Sequence, residues 1–253
     1  ELSFAEAARR KIICDYKVII SAIGQEEITN ELLSRGEVVV EGDSVRARQV
    51  ANQLAIKHAI ERYGIKKVFS FHARVKSAES FTSDRAEGIN SIIPDIPAFH
   101  VNGKMNASDR ESIMHEFAAA SWGIVSNAKC LTEGVDVPAV DMVAFMSPKK
   151  SKVDIVQATG RAMRRPRDNS DKEVGYVFIP LYIEQAKGET EEEAITRLGF
   201  EELADVLNAM KEQDAVLADI IRKMREDRGR VGGYDDSRFR EKVEVIGELV
   251  AVD

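Results

Sequence analysis

Cysteine is scarce in this 253-residue chain: Cys14 and Cys130 lie far apart and without metal-ligand spacing, which fits reduced structural thiols in a cytosol rather than a disulfide scaffold. Four scattered histidines, His58, His72, His100 and His115, show no zinc pattern, so no metal site is expected. No apolar run approaches the roughly eighteen residues that span a bilayer, and no signal peptide opens the chain. A membrane partner is therefore not expected, and a cytoplasmic location is. Excess positive charge is missing too, with 36 basic against 43 acidic residues and a net charge of −7. Bulk electrostatics do not attract nucleic acid, so any such binding must come from a local basic patch. The sequence contains no Gly-x-x-x-x-Gly-Lys-Ser/Thr loop to cradle phosphates and no Asp-Glu-x-His box for magnesium. Internal repeats of fixed period are absent. Glu1 stands where an initiator methionine would, which suggests a piece of a longer polypeptide.

What remains is an ordinary globular composition, 44% hydrophobic and 31% charged, long enough for one large domain or one domain with an appendage. Ser3 and Glu6 have capping-box spacing and predict a short helix, and the β-branched cluster from Asp15 to Ile20 predicts a strand. Residues 26–42, with Gly36 and Gly42, read as linker. A helix is expected from Ser44 to Tyr63, stopped by Gly64, with Val45, Val50, Leu54, Ile56 and Ile60 toward the core. Strands then follow at Lys67–Phe71, Ala98–Val101, Trp122–Ser126, Asp141–Phe145 and Val174–Ile179, with a helix at Ser108–Ala119 among them. Strands alternating with helices predict an α/β fold, a mostly parallel sheet covered on both faces. From Glu191 to Arg228 apolar residues recur at helical spacing among many charges. That stretch is either an arm packed on the chain's own sheet or a stalk that docks a neighbour. The last run, Lys242 to Val252, reads as a strand or hairpin.

The chemistry concentrates between Ser126 and Arg165. Leu131-Thr132-Glu133-Gly134-Val135-Asp136-Val137-Pro138 reads as a turn with relaxed backbone limits at Gly134, followed by a short acid and a terminating proline. Such a loop offers N–H groups and one carboxylate to a polar ligand, or is merely a connection between elements. About twenty residues later stands Gln157-Ala158-Thr159-Gly160-Arg161-Ala162-Met163-Arg164. On a helix, Arg161 and Arg164 share a face, and two guanidinium forks could converge on one polyanion. Gly160 is read as a point of close backbone approach. The plain alternative is a solvated basic face.

Together, in this order, the two segments resemble motifs V and VI of superfamily 2 helicases and translocases, and the resemblance extends over about residues 66–180. The wording of Asn127–Pro138 and Asp154–Arg164 is nearer to bacterial restriction-type and phage-defence-type DNA helicases than to the DEAD-box RNA proteins, which have His-Arg where this chain has Gln157-Ala158. The resemblance implies a RecA-like C-terminal motor domain over residues 43–182. Residues 1–42 would then be a crossover leading in from a missing N-terminal motor domain, and 183–253 a helical C-terminal extension. It implies ATP with magnesium held mainly by that missing domain, and no hydrolysis by this chain alone. By the same resemblance, Arg161 and Arg164 act as arginine fingers toward the γ-phosphate. Asp136 accepts from the ribose hydroxyl, Glu133 and Gly134 line that loop, and Gln157 couples the nucleotide to the opposite domain. Nucleic acid, DNA ahead of RNA, meets Arg74, Lys104, Asn127 and Lys129 through its phosphates. Asn127 departs from the threonine many relatives carry near there. A competing class of function is a binding module that uses this fold, or the 191–230 arm, only to hold nucleic acid or a protein.

Overall fold

The chain's strands are apolar on both sides of the pleat, as strands covered by helices on both faces must be. In the strand Asp15–Ile23 (β1), Tyr16, Val18 and Ile20 point into one core layer while Ile19 and Ile23 point into the other. The computed structural model describes residues 4–35, 44–128, 140–147, 152–165, 172–183, 206–211, 214, 217–219 and 241–247. Six more strands follow among the described residues: Lys67–Phe71 (β2), Ala98–Asn102 (β3), Gly123–Ala128 (β4), Met142–Phe145 (β5), Val174–Tyr182 (β6) and Val243–Gly247 (β7). They form one seven-stranded sheet in the order β3-β4-β2-β5-β6-β1-β7, and every neighbouring pair is parallel.

Helices cover both faces. Phe4–Arg9 (α1), Gln25–Ser34 (α2), Ser44–Tyr63 (α3), Val75–Phe81 (α4), Ala107–Ala119 (α5) and Lys152–Ala162 (α6) alternate with the strands. Val50, Leu54 and Ile56 of α3 and Phe81 of α4 join Val68 and Met142 beneath one face. Met114 and Phe117 of α5 and Ile155 and Ala158 of α6 join Phe69 and Val143 beneath the other. Helix α3 spans the residues expected and ends at Gly64, whose φ of +62° suits a residue without a Cβ.

One part of the sequence reading changes, and two others gain detail. Residues 25–34, expected as linker, are the helix α2, because Ile28 and Leu32 lie four apart and are both buried against α3. The sheet also runs through both domain boundaries drawn from the sequence. β1, from before residue 43, lies between β6 and β7, and β7 comes from beyond residue 183. Finally, the described part of the 191–228 stretch packs on the chain's own sheet. Val206, Ala209, Met210 and Leu217 belong to the same core layer as Tyr16, and the Tyr16 hydroxyl donates to Asp214 Oδ2 at 2.8 Å. The Asp214 carboxylate also accepts from the Leu217 N–H, so one buried acid joins β1 to this segment.

Candidate functional site

Helix α6 sorts its residues cleanly by side. Ile155, Ala158, Thr159, Ala162 and Met163 are buried, whereas Gln157 and Arg164 are exposed and Arg161 is half-buried. Positions 157, 161 and 164 follow one another at steps of four and three, so they form one stripe away from the core. The helix ends at Ala162, and Arg164 lies in the turn beyond it, its N–H directed to Arg161 O at 3.3 Å.

That turn is fixed from three sides. The Cys14 N–H, just before β1, donates to Met163 O at 2.9 Å. Lys172 Nζ donates to Ala162 O and to Val140 O, placing a cation on a carbonyl that the end of α6 leaves unpaired and tying it to the chain just before β5. Burial lowers the Lys172 pKa from its ordinary value. At Gly175 of β6, a Cβ would lie 2.2 Å from Ala162 O. The close approach expected at Gly160 is thus found at Gly175 instead; a Cβ on Gly160 meets nothing within 4 Å. Lys172 and Gly175 are the positioning residues that the sequence reading missed. No local signal points to them, since they act on a helix end ten or more residues away in sequence.

The second set of residues lies at the C-terminal ends of neighbouring strands, where parallel sheets gather ligands. Asn127 on β4 is flanked in register by Phe71 of β2 and Val101 of β3. Arg74 is exposed at the N-cap position of α4, just past β2, and Lys104 is exposed just past β3. The topology brings these three to the same end of the sheet. Asn127 is only 3% exposed, so its side chain belongs to the strand ends more than to the surface. Hydrogen bonds set the local frame. Ser126 Oγ donates to Ala78 O at 2.8 Å, tying α4 to β4, and Asn102 Oδ1 accepts from the Lys104 N–H at 2.9 Å, shaping that turn. Residues Lys129, Glu133, Gly134 and Asp136 lie outside the described residues.

His72, which follows β2, is held among the strand ends. It is buried, its Nε2 meets Ser70 Oγ at 3.1 Å, and its N–H donates to Asn127 O at 2.8 Å. Burial, with His100 nearby, pushes its pKa down to about 3. An unfolded chain would titrate this group near 6.5, so between the two values only the unfolded state takes up the proton. Stability is therefore untouched by this group above about pH 6.5 and is lost as the pH falls toward 3, by about 2 kcal/mol at pH 5. Urea unfolding at pH 7 and pH 5 checks this: a His72→Gln variant should lose clearly less stability over the interval than the parent. Equal losses would assign the effect to other groups.

An all-parallel sheet with helices on both faces is the architecture of the RecA-like helicase C-terminal fold. Within it, residues 51–166 match the family described as the helicase conserved C-terminal domain. Among curated proteins it is similar to the ATP-dependent RNA helicase has1 of Schizosaccharomyces pombe. The identity is 29% over 141 residues, 56% of this chain and 22% of that protein. A 51.5 kDa protein of a Lactococcus phage is 29% identical over 109 residues, 43% of this chain and 22% of the phage protein. The chain thus spans less than a quarter of the length of either. Among solved structures, the ATP-dependent Type ISP restriction-modification enzyme LlaBIII bound to DNA superposes with a TM-score of 0.70 at 25% identity, over 97% of this chain and 16% of that enzyme. No helix among the described residues is long and apolar enough to cross a membrane.

Proposed function

We propose that this chain is the second motor domain of an ATP-dependent DNA helicase or translocase, paired with a first RecA-like domain of the same polypeptide. The observation that carries the reading is the placement of two charged sets on one rigid sheet. Gln157 and Arg161 lie along one side of α6 and Arg164 in the turn past its end, while Arg74, Lys104 and Asn127 lie at the ends of β2, β3 and β4. One set suits a nucleotide and the other a strand of phosphates.

The stripe on α6 fits ATP held mainly by the first domain, since it turns two guanidinium-bearing residues away from the core. Bound there with magnesium, ATP would supply a γ-phosphoryl group on which negative charge builds during transfer. Arg161 and Arg164 would counter that charge, Gln157 would couple the pocket to the opposite domain, and Glu133, Gly134 and Asp136 would bind the sugar side. The chain alone would hydrolyse no ATP.

Arg74 and Lys104 would grip a single strand through its phosphates, with Asn127 and Lys129 beside them, and phosphate contacts carry no base information. DNA is favoured over RNA because the likeness to a DNA-bound restriction enzyme runs over 97% of the chain, the C-terminal segment included. The alternative of an RNA helicase half draws on the has1 likeness, which is confined to 56% of the chain. Titrating labelled single-stranded DNA and RNA of equal length over a range of salt concentrations tests both. Arg74→Ala and Lys104→Ala should each reduce the log–log salt slope by about 0.7, and DNA should bind more tightly than RNA. Slopes unchanged in both variants would remove these residues from the track, and tighter RNA binding would favour the alternative.

A further inference from the structure

A cleft of ≈ 240 Å³ opens where the N-terminal half of α3 meets the ends of β2 and β5, lined among others by Arg48, Gln49, Asn52, Gln53, His72 and Phe81. The four α3 residues fall at i, i+1, i+4 and i+5, a polar stripe that runs along the cleft from the exposed Arg48 to the buried Gln53. Gln53 is fully buried. Its Nε2 donates to Glu87 O at 2.6 Å, which fixes the orientation of the amide. Gln53 Oε1 is left buried with no hydrogen-bond partner. A buried acceptor left unpaired is costly, so an unmatched one beside an open cleft points to a donor that arrives from outside.

The lining says what kind of donor. Among the described lining residues Arg48 brings the one cation and Glu87 the one carboxylate, while the others are neutral, the buried His72 imidazole included. That balance does not suit a phosphate. Asn52 and Gln53 are amides anchored through their nitrogens, Asn52 Nδ2 reaching Met146 O at 3.4 Å, so they present oxygen to a ligand. The volume is below the roughly 300–1,000 Å³ of sites for drug-sized ligands and suits one flat ring system. An amide oxygen accepts from the exocyclic amine of adenine, which is the half of the amide–adenine pair that these anchored amides leave available.

We propose that this cleft accepts one unpaired adenine base of the bound strand, its exocyclic amine donating to Gln53 Oε1. The inference rests on the nucleic-acid reading above and goes beyond it, because it gives a phosphate-gripping domain a base preference. Arg74 stands two residues along the chain from His72, so a strand whose phosphates lie on the end of β2 passes the mouth of the cleft.

Fluorescence anisotropy with the protein and labelled oligo(dA), oligo(dT) and an abasic strand of the same length and salt separates the two claims. Oligo(dA) should bind about tenfold more tightly than oligo(dT), the discrimination of one good amide–adenine pair. Gln53→Met and Asn52→Ala should each bring oligo(dA) down to the oligo(dT) level while leaving the abasic strand unaffected. Circular dichroism checks that each variant folds, and if Gln53→Met does not, Asn52→Ala decides, since its side chain is only half-buried. Equal binding of the two homopolymers, or a preference that survives the substitutions, would overturn the base site alone. Binding of no strand at all would overturn the nucleic-acid reading with it, a result distinct from the first two. Competition by an asparagine-rich peptide but not by free adenosine would assign the cleft to a protein ligand instead.

Discussion

Arg164→Ala, made in the full-length protein, should lower DNA-stimulated ATP turnover by about 10³-fold or more while ATP affinity changes only a few-fold. A guanidinium fixed beside a transferring phosphoryl group typically contributes 10³ to 10⁵ in rate, so the lower bound corresponds to about 4 kcal/mol of barrier. The loss falls on turnover because charge on the phosphoryl oxygens is greatest in the transition state, where a preorganised donor helps most. Arg164→Lys should rescue little, since an ammonium keeps the charge but not the planar fork. Arg164 is also the residue whose position depends most on its supports. It sits in the turn past α6, behind Met163 O and Ala162 O, which Cys14 and Lys172 hold. Steady-state kinetics with saturating single-stranded DNA is the measurement. Turnover within a few-fold of the parent would refute the arginine-finger role.

The second large effect concerns two glycines that the sequence does not distinguish. Gly175→Ala should destabilise the domain by about 3 kcal/mol or prevent folding, because its Cβ would meet Ala162 O at 2.2 Å and Ala162 C at 2.6 Å. Those are backbone atoms, so relief requires α6 to shift bodily from β6. Gly160→Ala should instead leave the fold intact and stabilise it by up to about 1 kcal/mol, since its Cβ meets nothing within 4 Å and alanine favours a helix interior. Thermal melts of the two variants side by side test the contrast. Similar midpoints would mean that the end of α6 is not seated on β6 as described. A Gly160→Ala variant that melts normally yet hydrolyses ATP poorly would locate the need for this glycine in the nucleotide pocket.

The framework was legible where the signal is local. β-branched clusters marked the strands, and the helix from Ser44 to Tyr63 was bounded by its Gly64 stop. Parallel packing followed from the alternation of strands and helices. Helix α2 was missed because two buried residues, Ile28 and Leu32, are a thin signal in ten residues flanked by glycines. The site was legible in part. The α6 stripe could be read from spacing, whereas the seat beneath it could not. Contacts among Gly175, Lys172, Cys14 and the end of α6 join residues 10 to 149 apart in sequence. For the cleft, Arg48, Gln49, Asn52 and Gln53 were visible as a polar stripe, but their apolar neighbours drew the helix toward a core reading. Only the fold shows that the stripe lines a cleft and that its last member, Gln53, is buried there.

β1 carries an implication for how the protein is made. Among the described strands it is the earliest in this sequence, yet its outer neighbour β7 is the latest, with Val18 beside Val243 and Lys17 paired to Glu244, 227 residues later. Until synthesis reaches that point, one margin of β1 is bare and able to recruit another nascent chain. Shortening the gene before the codon for Val243 should therefore yield product that accumulates in inclusion bodies, although residues 126–165 have already been translated.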